Sequence, residues 1–155
     1  TMPINCNVDL AGKPCVVRYK KRKGIVVLRR YRDLIFLSGH GPEDQITGKP
    51  LYCGKIGKEL SPQDGYFAAR ECGIILLGAL RDYLGSLDAV KDIVKAFGLV
   101  SCADDFYDQE LVFDGFSDLM VEVLAERGYQ TRTVAGTSNL PNGNIPVEIE
   151  LVVQI

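Results

Sequence analysis

The last eleven residues, "IPVEIELVVQI", alternate in a way that few folds can satisfy. Val147, Ile149, Leu151, Val153 and Ile155 fall on one side of an extended chain, with Glu148, Glu150, Val152 and Gln154 on the other. A period of two built from β-branched and aliphatic residues predicts a strand with one buried face. That face needs a second layer, and two helical stretches can supply it. In the first, Ser61 is placed as N-cap, Pro62 suits the first helical position, and Asp64 favours the positive end of the helix. Ala69, Cys72, Leu76, Leu80 and Tyr83 then recur at three and four until Gly85. Gly65, Gly73 and Gly78 each lower helix propensity by roughly 1 kcal/mol relative to Ala, a cost that close packing on a sheet could offset. The second stretch runs from Tyr107 to Arg127 with Val112, Phe116, Leu119, Met120, Val123 and Leu124 as its stripe. Asp104, Asp105 and Asp108 stand at its start, and Arg127 and Gly128 at its end.

Other segments complete the pattern. "CVVRYKKRKG" and "IVVLRRYRDLIFLSG" give two or three strands broken at Gly24 and Arg32-Asp33, and "HGPEDQITGKP" is turn chemistry. "LYCGKIGKEL" reads as a weak strand or hairpin arm. A buried strand is expected over 93–102, a short one at "TRTVAG", and a loop at "TSNLPNGN". The order β-β-β-α-β-α-β-β predicts an α+β domain, two helices on one face of a mixed sheet. The 155 residues fit one domain, 1–155, with residues 1–24 an arm or short strands. Val152 among the charges leaves the second sheet face half apolar, so a further subunit is the expected cover.

Composition narrows the function classes. A net charge of -2 argues against a dedicated nucleic-acid binder, although eight of the 18 Lys+Arg lie between Arg18 and Arg32. That stretch, with Tyr19 and Tyr31, could meet phosphates and bases, or simply be a solvated hairpin that discourages edge pairing, the reading preferred here. Cys6, Cys15, Cys53, Cys72 and Cys102 contain no C-x-x-C, and with one histidine they make no zinc pattern, so free thiols and no metal are expected. No basic segment leads into an apolar run near the start, where Met2 reads as the native first residue, and no apolar run reaches about 18 residues. The expectation is a soluble cytoplasmic protein without membrane partners.

Candidate chemistry is sparse. His40 lies near Ser38, but neighbouring strand positions alternate in face and no orienting acid is evident, so a turn role is preferred over a nucleophile pair. Gly39 and Gly41 begin a G-x-G without a third glycine or a following helix. Arg132 and Glu148, on successive strands, read either as a surface ion pair worth little or as a working pair. In the working pair Arg132 would grip a small carboxylate with its planar fork, and Glu148 would activate a water.

"LIFLSGHGP", "DGFSDLMVEVL", "TRTVAGTSNLP" and "NIPVEIELVVQI", in this order and spacing, resemble the Rid/YjgF family, also labelled endoribonuclease L-PSP and translation initiation inhibitor. The match covers roughly residues 25–155, and "GYFAAREC" and "LGALRDYLGSLDAVKDIVKAFGLV" resemble its first helix and following strand. The resemblance implies a chorismate-mutase-like α+β fold assembled as a homotrimer, with ligand clefts between subunits. It implies hydrolysis of enamines and imines such as 2-aminoacrylate to 2-keto acids and ammonia, without a cofactor. By position, Arg132 matches the carboxylate-gripping arginine, followed by Thr133 in the family's R-[ST] element. Glu148 matches the water-positioning glutamate, and Ser38 and Gly39 the pocket-lining pair. Three positions depart: Ile25 stands where the family has a pocket tyrosine, Asp114 where an asparagine is common, and Val134 where a cysteine is common. An ionised Asp114 beside Arg132 would oppose an incoming carboxylate, since like charges about 4 Å apart interact by about 4 kcal/mol at an effective dielectric of about 20. A non-catalytic metabolite-binding member is therefore the alternative, and an RNA-binding nuclease a third.

Overall fold

The computed structural model describes residues 24–155. The strand expected in "CVVRYKKRKG", the larger part of the basic stretch, and Cys6 and Cys15 lie outside the described residues. Five strands, β1 (Leu28–Tyr31), β2 (Leu34–His40), β3 (Asp92–Ser101), β4 (Thr131–Thr137) and β5 (Val147–Gln154), form one sheet in the order β1-β2-β5-β3-β4. β5 pairs antiparallel with both β2 and β3, while β3 and β4 run parallel. Parallel neighbours need a crossover, and α2 (Gln109–Leu124) provides it. The longer α1 (Pro62–Leu84) links β2 to β3. This is the mixed sheet with two helices on one face that the pattern predicted.

The α1 start forms a capping box: the Asp64 N–H donates to Ser61 Oγ at 3.1 Å and the Ser61 N–H to Asp64 Oδ2 at 2.8 Å. Gly85, at φ 81°, closes the helix by donating its N–H to the Arg81 carbonyl. The alternation of β5 is realised: Val147, Ile149, Leu151 and Val153 are buried beneath the helices, in one core with Leu76, Leu80, Phe113, Phe116 and Leu119. Glu148, Val152 and Gln154 are half-buried and Glu150 exposed on the opposite face.

Several local expectations are revised. "LYCGKIGKEL" contains no strand; buried Ile56 instead makes isolated bridges, donating its N–H to Ser101 O and accepting from Ala103 N–H, both at 2.9 Å. α2 stops at Leu124 because Ala125 adopts φ 54°, and a 3-10 turn over Ala125–Gly128 follows. Arg127 is consequently not a helix-end charge but a tie to the chain before β3, its NH1 donating to Val90 O at 2.6 Å. Two of the α1 glycines, Gly65 and Gly73, face the second helix rather than the sheet. A Cβ on Gly65 would lie 2.9 Å from Val112 Cγ2, and one on Gly73 2.8 Å from Leu119 Cδ2. Contacts 65 to 112, 66 to 115 and 73 to 119 advance together, so the helices run in the same direction.

Closest of all is Gly115, whose missing Cβ would overlap the backbone carbonyl of Tyr66. Backbone cannot step aside as a side-chain tip can. Gly115→Ala should therefore destabilise the domain by about 1–3 kcal/mol or more, read as the shift in a denaturant midpoint at unchanged slope. A midpoint equal to that of the parent would reject this packing.

Candidate functional site

Among the described residues β4 is an edge strand, and its helix-side positions are read from the register. Arg132 lies opposite Ala96, which lies opposite Leu151, and both are buried under the helices. Arg132 therefore projects onto α2. Its NH1 donates to Asp114 Oδ1 at 2.7 Å and to Ser117 Oγ at 3.1 Å. Its guanidinium carbon sits 5.5 Å from the centre of the Phe113 ring, within cation–π range. Gln130 Nε2 also donates to Ser117 Oγ, at 2.5 Å. The side chains of Arg132 and Asp114 are 26% and 41% exposed, so the pair is accessible at the sheet edge. Among the described residues, neither the Nε and NH2 edge of Arg132 nor Asp114 Oδ2 makes a further hydrogen bond.

Glu148 is elsewhere. It lies opposite Leu99, which pairs with Ala135, one position out of phase with Arg132. Its side chain is on the face away from the helices, so one chain does not bring Arg132 and Glu148 together. It does bring Glu148 to Gly39. The β2–β5 register slips between Leu37 and His40, and a Cβ on Gly39 would stand 2.7 Å from Glu148 Oε1. A bulge with a glycine against a carboxylate is a device that re-aims a strand at a site. Burial raises the Glu148 pKa first, and the nearby carboxylates of Glu43 and Glu150 raise it further.

Ser38 holds the chain ahead of β1: its Oγ donates to Val26 O at 2.7 Å and its N–H to Val27 O at 2.8 Å. Ile25, 57% exposed, immediately precedes this anchor. A groove of about 260 Å3 opens beside it, lined by Val26, Phe36, Ser38, Glu150 and Val152 among others, and neither Arg132 nor Glu148 reaches it. Thr133 faces away from Arg132 and accepts from Lys95 Nζ at 2.7 Å. The His40 ring bonds through Nδ1 to the Ser38 carbonyl at 2.7 Å, not to its hydroxyl, and burial lowers its pKa. The two residues are not a nucleophile pair.

Phe113, Ser117, Gln130 and Glu43 were not singled out from sequence. Ser117 carried a faint signal, three residues after Asp114 and so on the same helix face. Phe113 carried none beyond its apolarity. No helix among the described residues is long and apolar enough to cross a membrane.

A five-stranded mixed sheet with two main helices packed on one side is the YjgF-like fold. No family model matches the chain. Protein TCP17 of Trypanosoma cruzi is 32% identical over 122 residues, spanning 78% of this chain and 74% of that one. Among solved structures, protein Atu1372 of Agrobacterium tumefaciens, of unknown function, is 30% identical over 84% of this chain and 82% of its own, with a TM-score of 0.80. A Shewanella oneidensis protein described as a candidate endoribonuclease shares the fold at a TM-score of 0.84 and 22% identity, over 94% of both chains. YyfA of Yersinia pestis, described as a Rid-family protein of unknown function, shares it at 0.61 and 16% identity, over 90% of this chain and 98% of its own. The chain belongs to the Rid/YjgF family.

The raised pKa of Glu148 has a thermodynamic consequence. The folded state holds that proton more tightly than the unfolded chain, so protonated Glu148 favours folding. The contribution is lost as pH climbs from the ordinary glutamate range through the raised value. Glu148→Gln, which mimics the protonated shape, should raise the melting temperature at about pH 7 and leave it nearly unchanged at about pH 4. Thermal unfolding at both values checks this; an equal gain at both would contradict it.

Proposed function

We propose that this protein hydrolyses small enamine or imine carboxylates to 2-keto acids and ammonia, in clefts between the subunits of a homotrimer. The observation that carries the reading is Arg132 itself: a half-buried arginine at a sheet edge, with the Nε–NH2 side of its fork uncommitted among the described residues. Such an edge matches a carboxylate in two parallel hydrogen bonds. Arg132 and Glu148 lie on opposite faces of one sheet, so a ligand touching both needs Arg132 from one copy and Glu148 of the partner subunit. Two features support such an assembly. Among the described residues β4 is an unpaired edge, and the outer sheet face carries Phe36 at 47% exposure with half-buried Phe97, Leu99 and Val152.

In this reading an enamine first takes a proton on carbon to become the imine. Glu148 accepts a proton from a water as its oxygen adds to the imine carbon, and the C=N electron pair moves to nitrogen, which is protonated. The carbinolamine then loses ammonia, leaving the water oxygen as the ketone. A carboxyl whose pKa burial raises is better suited to taking a proton from water and returning it than an ordinary glutamate.

The Asp114–Arg132 bond favours a second reading, a metabolite-binding protein that holds a ligand without turning it over. The endoribonuclease description of the Shewanella neighbour has weaker support: exposed Arg29, Arg30 and Arg32 on a chain of net charge -2.

Ammonia release from enzymatically generated imines separates these. Arg132→Ala should lower kcat/KM by about 100-fold, the worth of a bidentate charged contact, and light scattering should give three times the chain mass. Equal rates for the variant and the parent would remove the mechanism. Ligand binding with no turnover by the parent would leave the second reading.

A further inference from the structure

The Arg132–Asp114 bond changes what kind of ligand this edge can hold. Asp114 engages only NH1, through only Oδ1. The uncommitted donors of Arg132 and the uncommitted acceptor of Asp114 are therefore neighbours, presented together at 26% and 41% exposure. The surroundings add no net positive charge. One turn along α2, Asp118 accepts from the Tyr66 hydroxyl at 2.7 Å, and one turn further Glu122 pairs with Arg70 at 2.7 Å. Lys95 is bonded to Thr133 on the other face of the sheet. A bare carboxylate approaching Arg132 thus meets a guanidinium already paired with one carboxylate.

We propose that Arg132 and Asp114 form a two-charge site that selects molecules carrying a cationic nitrogen beside their carboxylate over oxo acids of the same skeleton, with Asp114 as the specificity-determining residue. This rests on the reading that Arg132 receives the ligand carboxylate. The carboxylate takes the Nε–NH2 edge, and the ammonium or iminium nitrogen donates to Asp114 Oδ2. Each charge of the ligand is then opposed by its complement, in short charge-assisted hydrogen bonds. The reaction proposed above fits the same logic. A protonated imine of a 2-oxo acid is a zwitterion; addition of water and loss of nitrogen as ammonium leave an oxo acid with only its negative charge. Asp114 holds the first and repels the second, so product leaves the site that recognised substrate.

The test compares L-alanine with pyruvate, which share a carbon skeleton, binding to the intact protein at fixed ionic strength by calorimetry or ligand-observed NMR. The parent should prefer L-alanine by about tenfold or more, the worth of one hydrogen bond to a charged group. Asp114→Asn should move the preference toward pyruvate by a similar factor, Asp114→Glu should keep it, and Arg132→Ala should lose both ligands. Melting temperatures near that of the parent confirm that the variants fold. No preference in the parent, or the same preference in Asp114→Asn, with binding still dependent on Arg132, would overturn the two-charge site and leave the Arg132 reading standing. Unchanged affinities in Arg132→Ala, or no binding of either ligand to the parent and Asp114→Asn, would overturn both.

Discussion

The seat of α2 governs the rest of the molecule. On one side Gly115 lets the helix meet the backbone of Tyr66 on α1, and on the other Gly98 of β3 leaves room only for the Phe113 ring. Interiors packed to crystal-like density allow such a helix essentially one position. That position decides the chemistry at the sheet edge, because Phe113, Asp114 and Ser117 are consecutive features of the same helix face. Phe113 is held on Gly98, the Arg132 guanidinium lies over its ring, and Asp114 and Ser117 reach the same NH1. The ion pair is thus a product of packing as much as of charge.

Much of this was legible in the chain. The alternation of β5 and the N-cap at Ser61 are local signals, and local signals survive into the fold nearly unchanged. Gly65 and Gly73 of α1 were correctly marked as contacts, but their partner was misplaced, since nothing in a one-dimensional pattern distinguishes a sheet beneath a helix from a helix beside it. Ile56 misled for a related reason: a single buried residue between turns resembles a short strand, and its bonds to Ser101 and Ala103 arise from tertiary proximity.

The candidate site was legible residue by residue and not as an arrangement. Arg132 and Glu148 sit on successive strands in sequence, which invites the picture of a pair. In space β3 stands between β4 and β5, and the two residues fall out of phase across it. A shift of one residue in a strand exchanges faces, so spacing alone could not decide whether they meet. The same reasoning explains Thr133, adjacent to Arg132 yet committed to Lys95 on the opposite face.

The two halves of the candidate site share an electrostatic character. Arg132 has its charge matched by Asp114, and Glu148, pressed by burial and by Glu43 and Glu150, holds a proton more tightly than an ordinary glutamate. Neither half is a strong attractor for a simple anion, and both gain from positive charge on the ligand. A cationic nitrogen placed near Glu148 would favour its ionised form, the form that can accept a proton from water. Replacement of that nitrogen by a ketone oxygen would remove the bias. On the proposed reading, occupancy by a zwitterion and activation of the base would be one event, governed by the same charge that distinguishes substrate from product.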